Sequence, residues 1–174
     1  MNIVTLCTGN VARSVMLGYM LTTLGEASGE DWRVRSAGTH VIEGSAMSGR
    51  TRDALLGLED LGAHRYNAHR SHQLSAEDVD WADVILTSEA AHVHFVRAMF
   101  ADGARKSVQL HQFVRHAALD EPFETQLALV AALEPSDDLD VTDPAGGDQV
   151  DYNNCAAELW ELAQVFALVA TPVR

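Results

Sequence analysis

The sequence predicts an α/β fold, a single doubly wound domain in which a four-stranded parallel sheet is flanked by helices on both faces. Short apolar runs alternate along the chain with longer stretches of helical periodicity, which is the pattern of strands joined by helical crossovers. The chain has 174 residues, of which 47% are hydrophobic. This length fits one domain with a sizeable core, covering residues 1–174, and is too short for two comfortable ones.

The first half of the chain supplies two strands and two helices. A short apolar strand is predicted at 2–6, and apolar residues at helical spacing predict a helix at 14–26. The second strand is predicted at 32–39. Because a helix connects these two strands, they should be parallel, with a right-handed crossover. Another helix is predicted at 48–61, with Ser48 as its N-cap.

The second half of the chain continues the alternation. A third strand is predicted at 83–87, followed by a helix that ends at residue 99 or 100, and a short fourth strand is predicted at 107–110. A long amphipathic helix is predicted at 151–169. In such a fold, ligands bind at the carboxyl ends of the parallel strands. The loop after the first strand must lie at that end.

Composition excludes several classes of function. The formal net charge of −13 leaves no basic stripe that could release counterions from nucleic acid, so no nucleic-acid partner is expected. No apolar run is long enough to cross a membrane, and the first residues lack the basic start of a secretory leader. We therefore expect a cytoplasmic protein without a membrane partner.

The cysteine content points in the same direction. Cys7 and Cys155 are the only two cysteines, which excludes a disulfide framework and indicates a reducing compartment. Cysteines and histidines do not cluster at metal-ligand spacing, so neither a metal site nor a cofactor is expected. Cys155 lies within the last predicted helix, and we expect it to be structural.

The segment that most restricts the function is CTGNVARS, from Cys7 to Ser14. A strand, a tight loop and a helix N-terminus aim several backbone N–H groups at one point, where an anion also meets the positive end of the helix dipole. Arg13 adds a planar fork that can bind two phosphate oxygens, and the same field favours the thiolate of Cys7. The segment therefore predicts a phosphate-cleaving site, with a phosphate-binding loop directly after the first strand.

Each part of this loop also has a simpler explanation. A cysteine after an apolar strand is commonly a small buried hydrophobe, and an arginine at the start of a helix is commonly a surface charge. The combination Cys-x5-Arg-Ser, on a strand, loop and helix with Thr8, Gly9 and Asn10 inside it, is far more restrictive. We therefore interpret the segment as functional.

Four motifs in order resemble the low-molecular-weight protein tyrosine phosphatase family, in its bacterial, actinobacterial-like branch. They are the loop from Cys7 to Ser14 and the segments 36–39 (SAGT), 69–78 (HRSHQLSAED) and 142–144 (TDP). The resemblance extends from about residue 2 to residue 166. Within the loop, the sequence departs from the family at Ala12, where a second cysteine is common, and just after it at Val15, where a proline is common.

The resemblance implies a hydrolase that acts through a phosphocysteine intermediate. Cys7 would attack phosphorus, Arg13 and the backbone amides of the loop would hold the phosphate, and Asp143 would be the general acid. Ser14 would donate its hydroxyl hydrogen to the sulfur of Cys7, and His69 would support the loop by bonding Asn10. The residues expected to bind the phosphate are Thr8, Gly9, Asn10, Val11, Ala12, Arg13 and Ser14.

The expected substrate is protein phosphotyrosine, and phosphoarginine and small phosphoesters remain open as the other candidates. Relatives that hydrolyse phosphoarginine carry a threonine where this chain has Val11 and an aromatic residue where it has Ala145. Because Val11 cannot hydrogen-bond near a guanidinium, phosphotyrosine-like esters are favoured. The cleft walls, Val41 or Ile42 and Ala145, offer no aromatic ring for stacking, so we expect the phenyl ring to be held weakly.

Residues 119–141 are expected to be an insertion, since the family usually reaches its Asp-Pro loop sooner. The segment 121–133 is apolar enough for a helix, and an acidic stretch follows at 137–140. We expect both to lie near the mouth of the cleft. If Ala145→Tyr leaves binding of aryl phosphates unchanged, Phe123 is the first candidate to reach across the mouth and hold the ring.

Two other functions remain open. An arsenate reductase would need resolving thiols, and besides Cys7 the chain offers only Cys155, so an external thiol would have to take part. A phosphate-binding module without turnover is also compatible with Ala12, Val15 and Ala145. Turnover of p-nitrophenyl phosphate that is lost in Cys7→Ser would separate a phosphatase from both.

Overall fold

The computed structural model describes residues 1–171 and contains one parallel sheet of four strands. The strands are β1 (Asn2–Cys7), β2 (Arg33–Gly38), β3 (Val84–Thr87) and β4 (Ser107–Gln109). Their order across the sheet is β2-β1-β3-β4, and every neighbouring pair is parallel. The predicted sheet is confirmed, with each strand within one or two residues of its expected bounds.

Helices cover both faces of this sheet, as predicted. They are α1 (Arg13–Ser28), α2 (Gly49–Leu56), α3 (Ala76–Trp81), α4 (Ala90–Met99), α5 (Leu110–His116), α6 (Phe123–Ala131) and α7 (Gln149–Ala170). Among the described residues, no helix is both long enough and apolar enough to span a bilayer.

Alternate residues of the strands bury two separate cores. Ile3 packs in the larger core with α1, α5 and α7, whereas Val4 and Leu6 pack in the smaller core with α3 and α4. All three side chains are fully buried. Because successive side chains of a strand point to opposite faces, the unbroken apolar sequence of β1 reflects a sheet covered on both sides.

Two predicted elements have different bounds in the structure. The Ser48 hydroxyl accepts a hydrogen bond from Thr51 N at 3.0 Å, as expected of the N-cap, but α2 ends at Leu56 and residues Glu59–Leu61 form a 3-10 turn. Gly57 follows α2 and, because glycine disfavours helix and has no side chain to pack, the helix does not continue through it. The 3-10 turn after it buries the side chain of Leu61 in the core. The fourth strand is shorter than predicted because α5 begins at Leu110.

The segment 119–141 contains the predicted helix, α6, but the expected position of this helix is wrong. The ring of Phe123 is half-buried against the larger core, with its centroid 5.7 Å from that of Phe113 and 5.9 Å from that of Phe166. Phe123 also lines a cavity with Met1 and Lys106, at the amino ends of the strands. Aromatic packing therefore places Phe123 near the amino ends of the strands, whereas Cys7 lies at the carboxyl end of β1, and Phe123 does not reach the cleft.

The acidic stretch, in contrast, does return to the carboxyl ends of the strands. Asp140 Oδ1 accepts hydrogen bonds from Ala90 N at 2.7 Å and from Gln109 Nε2 at 2.6 Å, beside the ends of β3 and β4. This part of the predicted placement agrees with the structure.

The end of β2 passes so close to the loop after Cys7 that only glycine fits at residue 38. A Cβ atom on Gly38 would lie 2.5 Å from the backbone oxygen of Thr8 and 3.0 Å from the backbone nitrogen of Asn10. We expect Gly38→Ala to lower the free energy of unfolding by about 1–3 kcal/mol, because backbone atoms cannot move aside cheaply.

Chemical denaturation of Gly38→Ala and of a control, Gly49→Ala, tests this expectation. A Cβ atom on Gly49, the first residue of α2, would meet nothing within 4 Å, so the control should be as stable as the wild type or slightly more stable. Equal midpoints for the two variants would contradict the close approach.

Candidate active site

Cys7 is the last residue of β1, and its thiol is buried at the carboxyl end of the sheet. The chain then forms a loop and enters α1 at Arg13. Ala12 occupies the N-cap position of α1, where its methyl group cannot accept hydrogen bonds from the first amide groups of the helix. A buried thiol and an N-terminus open to an anion therefore lie side by side, as the sequence predicted.

The thiol of Cys7 contacts the hydroxyl of Ser14, and this hydroxyl is held in turn by the side chain of Asn10. The Oγ atom of Ser14 lies 3.0 Å from the sulfur of Cys7, and Asn10 Nδ2 donates a hydrogen bond to the same Oγ at 2.9 Å. Since the hydroxyl oxygen accepts from Asn10, its own hydrogen is free to be donated to the sulfur. Ser14 is therefore placed to donate a hydrogen bond to the sulfur of Cys7.

Asn10 holds the loop in an unusual conformation. Its φ angle is +52°, in the left-handed region that residues other than glycine rarely occupy. Its carbonyl oxygen is 2.8 Å from His69 Nε2, and its side-chain oxygen accepts a hydrogen bond from the backbone nitrogen of His72 at 2.9 Å. Burial lowers the pKa of His69, which favours a neutral ring with the hydrogen on Nε2. The expected contact of His69 with Asn10 is present, through the backbone carbonyl.

The Arg13 guanidinium is buried, with only 1% of the residue exposed. It pairs with Glu89, donates to the carbonyl oxygen of Val141 at 3.1 Å, and donates to Asp143 Oδ2 at 2.7 Å. Burial alone would disfavour the charged form, but the hydrogen bond to Glu89 and the charge of Asp143 outweigh it and raise the pKa of Arg13. The guanidinium is therefore permanently charged, and its three partners fix its orientation.

Asp143 reaches this site from a distant part of the sequence. Its Oδ1 atom accepts a hydrogen bond from Ala145 N at 3.0 Å, while Oδ2 binds Arg13. Its side chain is 42% exposed, so it faces the mouth of the cleft. The structure thus brings together the residues expected from the sequence: Cys7, Asn10, Arg13, Ser14, His69 and Asp143.

Two residues of the site were not predicted from the sequence. Glu89 pairs with Arg13, and His92 lies with Nε2 3.0 Å from Thr8 Oγ1 and 3.4 Å from Glu89 Oε2. Burial lowers the pKa of His92 to about 4. Both residues follow the carboxyl end of β3, three positions apart, and their place after a parallel strand was the signal that could have identified them.

The walls of the cleft carry few aromatic groups. Ile42 is 83% exposed, and Ala145 is exposed on the opposite loop. His40 donates its backbone N–H to the carbonyl of Thr8 at 2.9 Å, while its ring packs against Phe95. Within the loop, Thr8 is exposed and Val11 is half-buried. The mouth is therefore open and lined by small, aliphatic and acidic side chains.

Cys155 lies close to the Asp143 loop but is not a reactive group. It lines a cavity with Thr142 and Asp143, and burial raises the pKa of its thiol to about 12. This agrees with the structural role expected for Cys155. The described part of the chain contains no group of three or more metal-ligating side chains.

Comparison with known proteins identifies the family. The profile of the low molecular weight phosphotyrosine protein phosphatases matches residues 2–134, which include Cys7 and His69 but not Asp143. A protein-arginine-phosphatase of Geobacillus stearothermophilus is 34% identical over 112 residues, which cover 64% of this chain and 70% of that protein.

Two solved structures are similar over nearly their full lengths. One is the YwlE arginine phosphatase, a cysteine-to-serine mutant with a phosphorylated active-site serine, at a TM-score of 0.77 and 26% identity, covering 96% of this chain and 93% of that one. The other is the low molecular weight protein tyrosine phosphatase of T. tengcongensis, at a TM-score of 0.76 and 26% identity, covering 95% and 97%. The chain belongs to the low molecular weight phosphotyrosine protein phosphatase family and is a cysteine-based phosphatase.

Proposed function

We propose that this phosphatase hydrolyses phosphoarginine in proteins, through a phosphocysteine formed on Cys7. The observation that carries the proposal is the pair of carboxylates beside the phosphate loop, Glu89 and Asp143, which flank Arg13. An acidic mouth attracts a guanidinium group more strongly than a phenyl ring. The name of the Geobacillus stearothermophilus relative agrees with this substrate.

This proposal departs from the phosphotyrosine substrate expected from the sequence. That expectation rested on Val11, which offers no hydrogen bond to a guanidinium, and it did not include Glu89. The carboxyl group of Asp143, protonated as the general acid, can donate to the bridging nitrogen through one oxygen and accept an N–H of the phosphoarginine through the other, at the open side of the cleft. The polar partner that Val11 lacks is thus available elsewhere in the site.

In the first half-reaction, the thiolate of Cys7 forms a bond to phosphorus as the P–N bond of phosphoarginine breaks. The carboxyl group of Asp143 gives its proton to the departing guanidino nitrogen. Arg13, which directly follows the loop, would bind the phosphate oxygens with a guanidinium that keeps its charge. Ser14 stabilises the thiolate before attack through the 3.0 Å contact between its hydroxyl and the sulfur.

In the second half-reaction, a water oxygen attacks phosphorus and its proton passes to the carboxylate of Asp143. The S–P bond breaks, which releases inorganic phosphate and restores the thiolate of Cys7. The hydrogen bond from Ser14 again favours the sulfur anion, now as the leaving group. Asp143 loses a proton to the leaving group in the first half-reaction and gains one from water in the second, so the cycle ends as it began.

The geometry supports turnover over the two other functions considered from the sequence. A binding module would not need Asp143 at the mouth of the cleft, where its Oδ2 atom lies 2.7 Å from Arg13. An arsenate reductase that uses an internal resolving thiol would need a reactive Cys155, and this thiol is buried with a pKa of about 12. Both observations favour a phosphatase.

Two peptides of the same sequence, one carrying phosphoarginine and one phosphotyrosine, test the proposed function. We expect kcat/KM for the phosphoarginine peptide to be at least about tenfold higher, which corresponds to about 1.4 kcal/mol of transition-state stabilisation. Cys7→Ser should abolish release of phosphate from both peptides while inorganic phosphate still binds, as measured by calorimetry. A preference for phosphotyrosine would overturn the proposed substrate, and near-full activity of Cys7→Ser would overturn the mechanism.

The proton transfer predicts a dependence on the leaving group. Asp143→Asn should slow the hydrolysis of alkyl phosphates by about 10²–10⁴-fold, because an alkoxide needs a full proton. It should slow p-nitrophenyl phosphate far less, because nitrophenolate leaves without one. A plot of log kcat against leaving-group pKa measures this effect, and Asp138→Asn, on an exposed side chain nearby, is the matched control. A slope equal to that of the wild type would remove Asp143 from the acid role.

The buried His92 predicts a loss of stability at low pH. Since its pKa is about 4 in the folded protein and about 6.5 when unfolded, the unfolded chain binds a proton first as the pH falls. The free energy of unfolding is therefore highest above pH 6.5 and falls, between pH 6.5 and 4, by up to about 3 kcal/mol from this group.

Urea denaturation of the wild type and His92→Gln across this range measures that contribution. Glutamine can still donate to Thr8 Oγ1 but does not titrate, so the stability of the variant should depend less on pH. Parallel curves for the two proteins would show that His92 is not held neutral.

A further inference from the structure

The chain is fixed to the sheet shortly before Asp143, at Asp140. The Oδ1 atom of Asp140 accepts a hydrogen bond from Gln109 Nε2 at 2.6 Å and another from Ala90 N at 2.7 Å. Gln109 is fully buried at the end of β4, and Ala90 is the first residue of α4. A single carboxylate oxygen therefore joins the acidic stretch to the end of one strand and to the start of one helix.

The next residue extends this attachment to the active site. Val141 is buried, and its N–H donates to the carbonyl of Ser88 at 2.8 Å, directly after β3. Its own carbonyl accepts the hydrogen bond from Arg13 Nη1 at 3.1 Å. Only Thr142 then separates this fixed peptide from Asp143, so the position of Asp143 depends on where residues 140 and 141 are held.

The hydrogen bond between Asp140 and Ala90 also fixes the segment that carries Glu89, on the other side of the Arg13 guanidinium. Ala90, whose N–H binds Asp140, directly follows Glu89, which pairs with Arg13. Asp140 thus links the two segments whose carboxylates lie on either side of the guanidinium. It lies behind both of them and makes no contact with Cys7 or Arg13 among its hydrogen bonds.

We propose that Asp140 is a positioning residue, which places Asp143 for proton transfer by tying the segment before it to Gln109 and Ala90. This inference rests on the proposed role of Asp143 as the general acid. A carboxylate suits the task because one oxygen can accept two hydrogen bonds, and because charge shortens and strengthens them. Displacement of a catalytic group by about 1 Å can cost about 100-fold in rate.

Asp140 could instead transfer a proton itself, since it is acidic and close to the site. Burial, followed by the charges of Glu89 and Asp137, raises its pKa. The two roles differ in what asparagine can replace. The amide oxygen of asparagine accepts the same two hydrogen bonds, whereas the amide group cannot serve as a general acid.

Three variants distinguish these roles, with hydrolysis of an alkyl phosphate and of p-nitrophenyl phosphate as the readout. Asp140→Ala should lower kcat for the alkyl phosphate by about 10- to 100-fold, with a much smaller effect on p-nitrophenyl phosphate and little change in KM. Asp140→Asn should remain within a few-fold of the wild type. Asp138→Ala, which removes an exposed carboxylate two residues away, should have no effect. Asp140→Asn as slow as Asp140→Ala would overturn the positioning role.

The double variant Asp140→Ala/Asp143→Asn tests whether the effect passes through Asp143. It should be no slower than Asp143→Asn alone, and a further tenfold loss would contradict the proposal. If Asp140→Ala does not fold, as judged by circular dichroism and by binding of inorganic phosphate, Gln109→Met removes the same hydrogen bond from the other side and should show the same dependence on the leaving group.

Failure of this proposal is distinguishable from failure of the proposed function. If Asp143→Asn shows the expected leaving-group dependence and neither Asp140→Ala nor Gln109→Met does, only the role of Asp140 is wrong. If Asp143→Asn itself behaves like the wild type, the general acid has been misassigned.

Discussion

The burial of the Arg13 guanidinium is the constraint on which the rest of the site depends. A buried cation is costly unless its charge and its N–H groups are matched, and breaking one partner of such a pair costs about 3–5 kcal/mol. The partners here are Glu89, the carbonyl of Val141 and Asp143, which follow β3 or precede α7. They can meet Arg13 only because β3 lies beside β1 and because the chain returns to the carboxyl ends of the strands after α6. The burial of the Arg13 charge therefore requires this order of strands, since no other described part of the chain brings carboxylates to it.

The loop itself depends on a second set of contacts, which stabilise a conformation that its own sequence disfavours. Asn10 adopts a positive φ angle, which asparagine tolerates better than most residues but which still costs free energy relative to glycine. The contacts of Asn10 with His69, with the backbone of His72 and with Ser14 offset this cost. Gly38 contributes by leaving room for the loop to lie against β2. The segment 69–78 thus serves the site from outside it, by fixing the residue that directs Ser14 toward the sulfur.

The phosphate loop and the walls of the cleft are separate parts of this structure. The loop is built from β1, α1 and their buried contacts, whereas the walls come from exposed segments around Ile42 and Ala145. Substitutions in the walls can therefore change which phosphorylated group the cleft accepts without disturbing the binding of the phosphate. This separation explains how a family defined by its loop includes relatives named for phosphotyrosine and for phosphoarginine. In this chain the mouth is acidic, which underlies the proposed preference for a guanidinium.

The sequence by itself determined the order of strands and helices, the loop from Cys7 to Ser14 and the N-cap at Ser48, because these depend on residues close together in the chain. Resemblance to the family added Asp143 and His69, whose contacts with the loop cross 130 and 59 positions of sequence. Only the tertiary structure showed the partners of Glu89 and His92, since their place after a strand indicates the correct end of the sheet but not their contacts with Arg13 and Thr8. It also placed Phe123 against the larger core instead of at the cleft, because three aromatic rings bury more apolar surface together than one could at an open mouth. Local pattern thus decides which elements form, and burial and charge pairing decide which of their side chains meet.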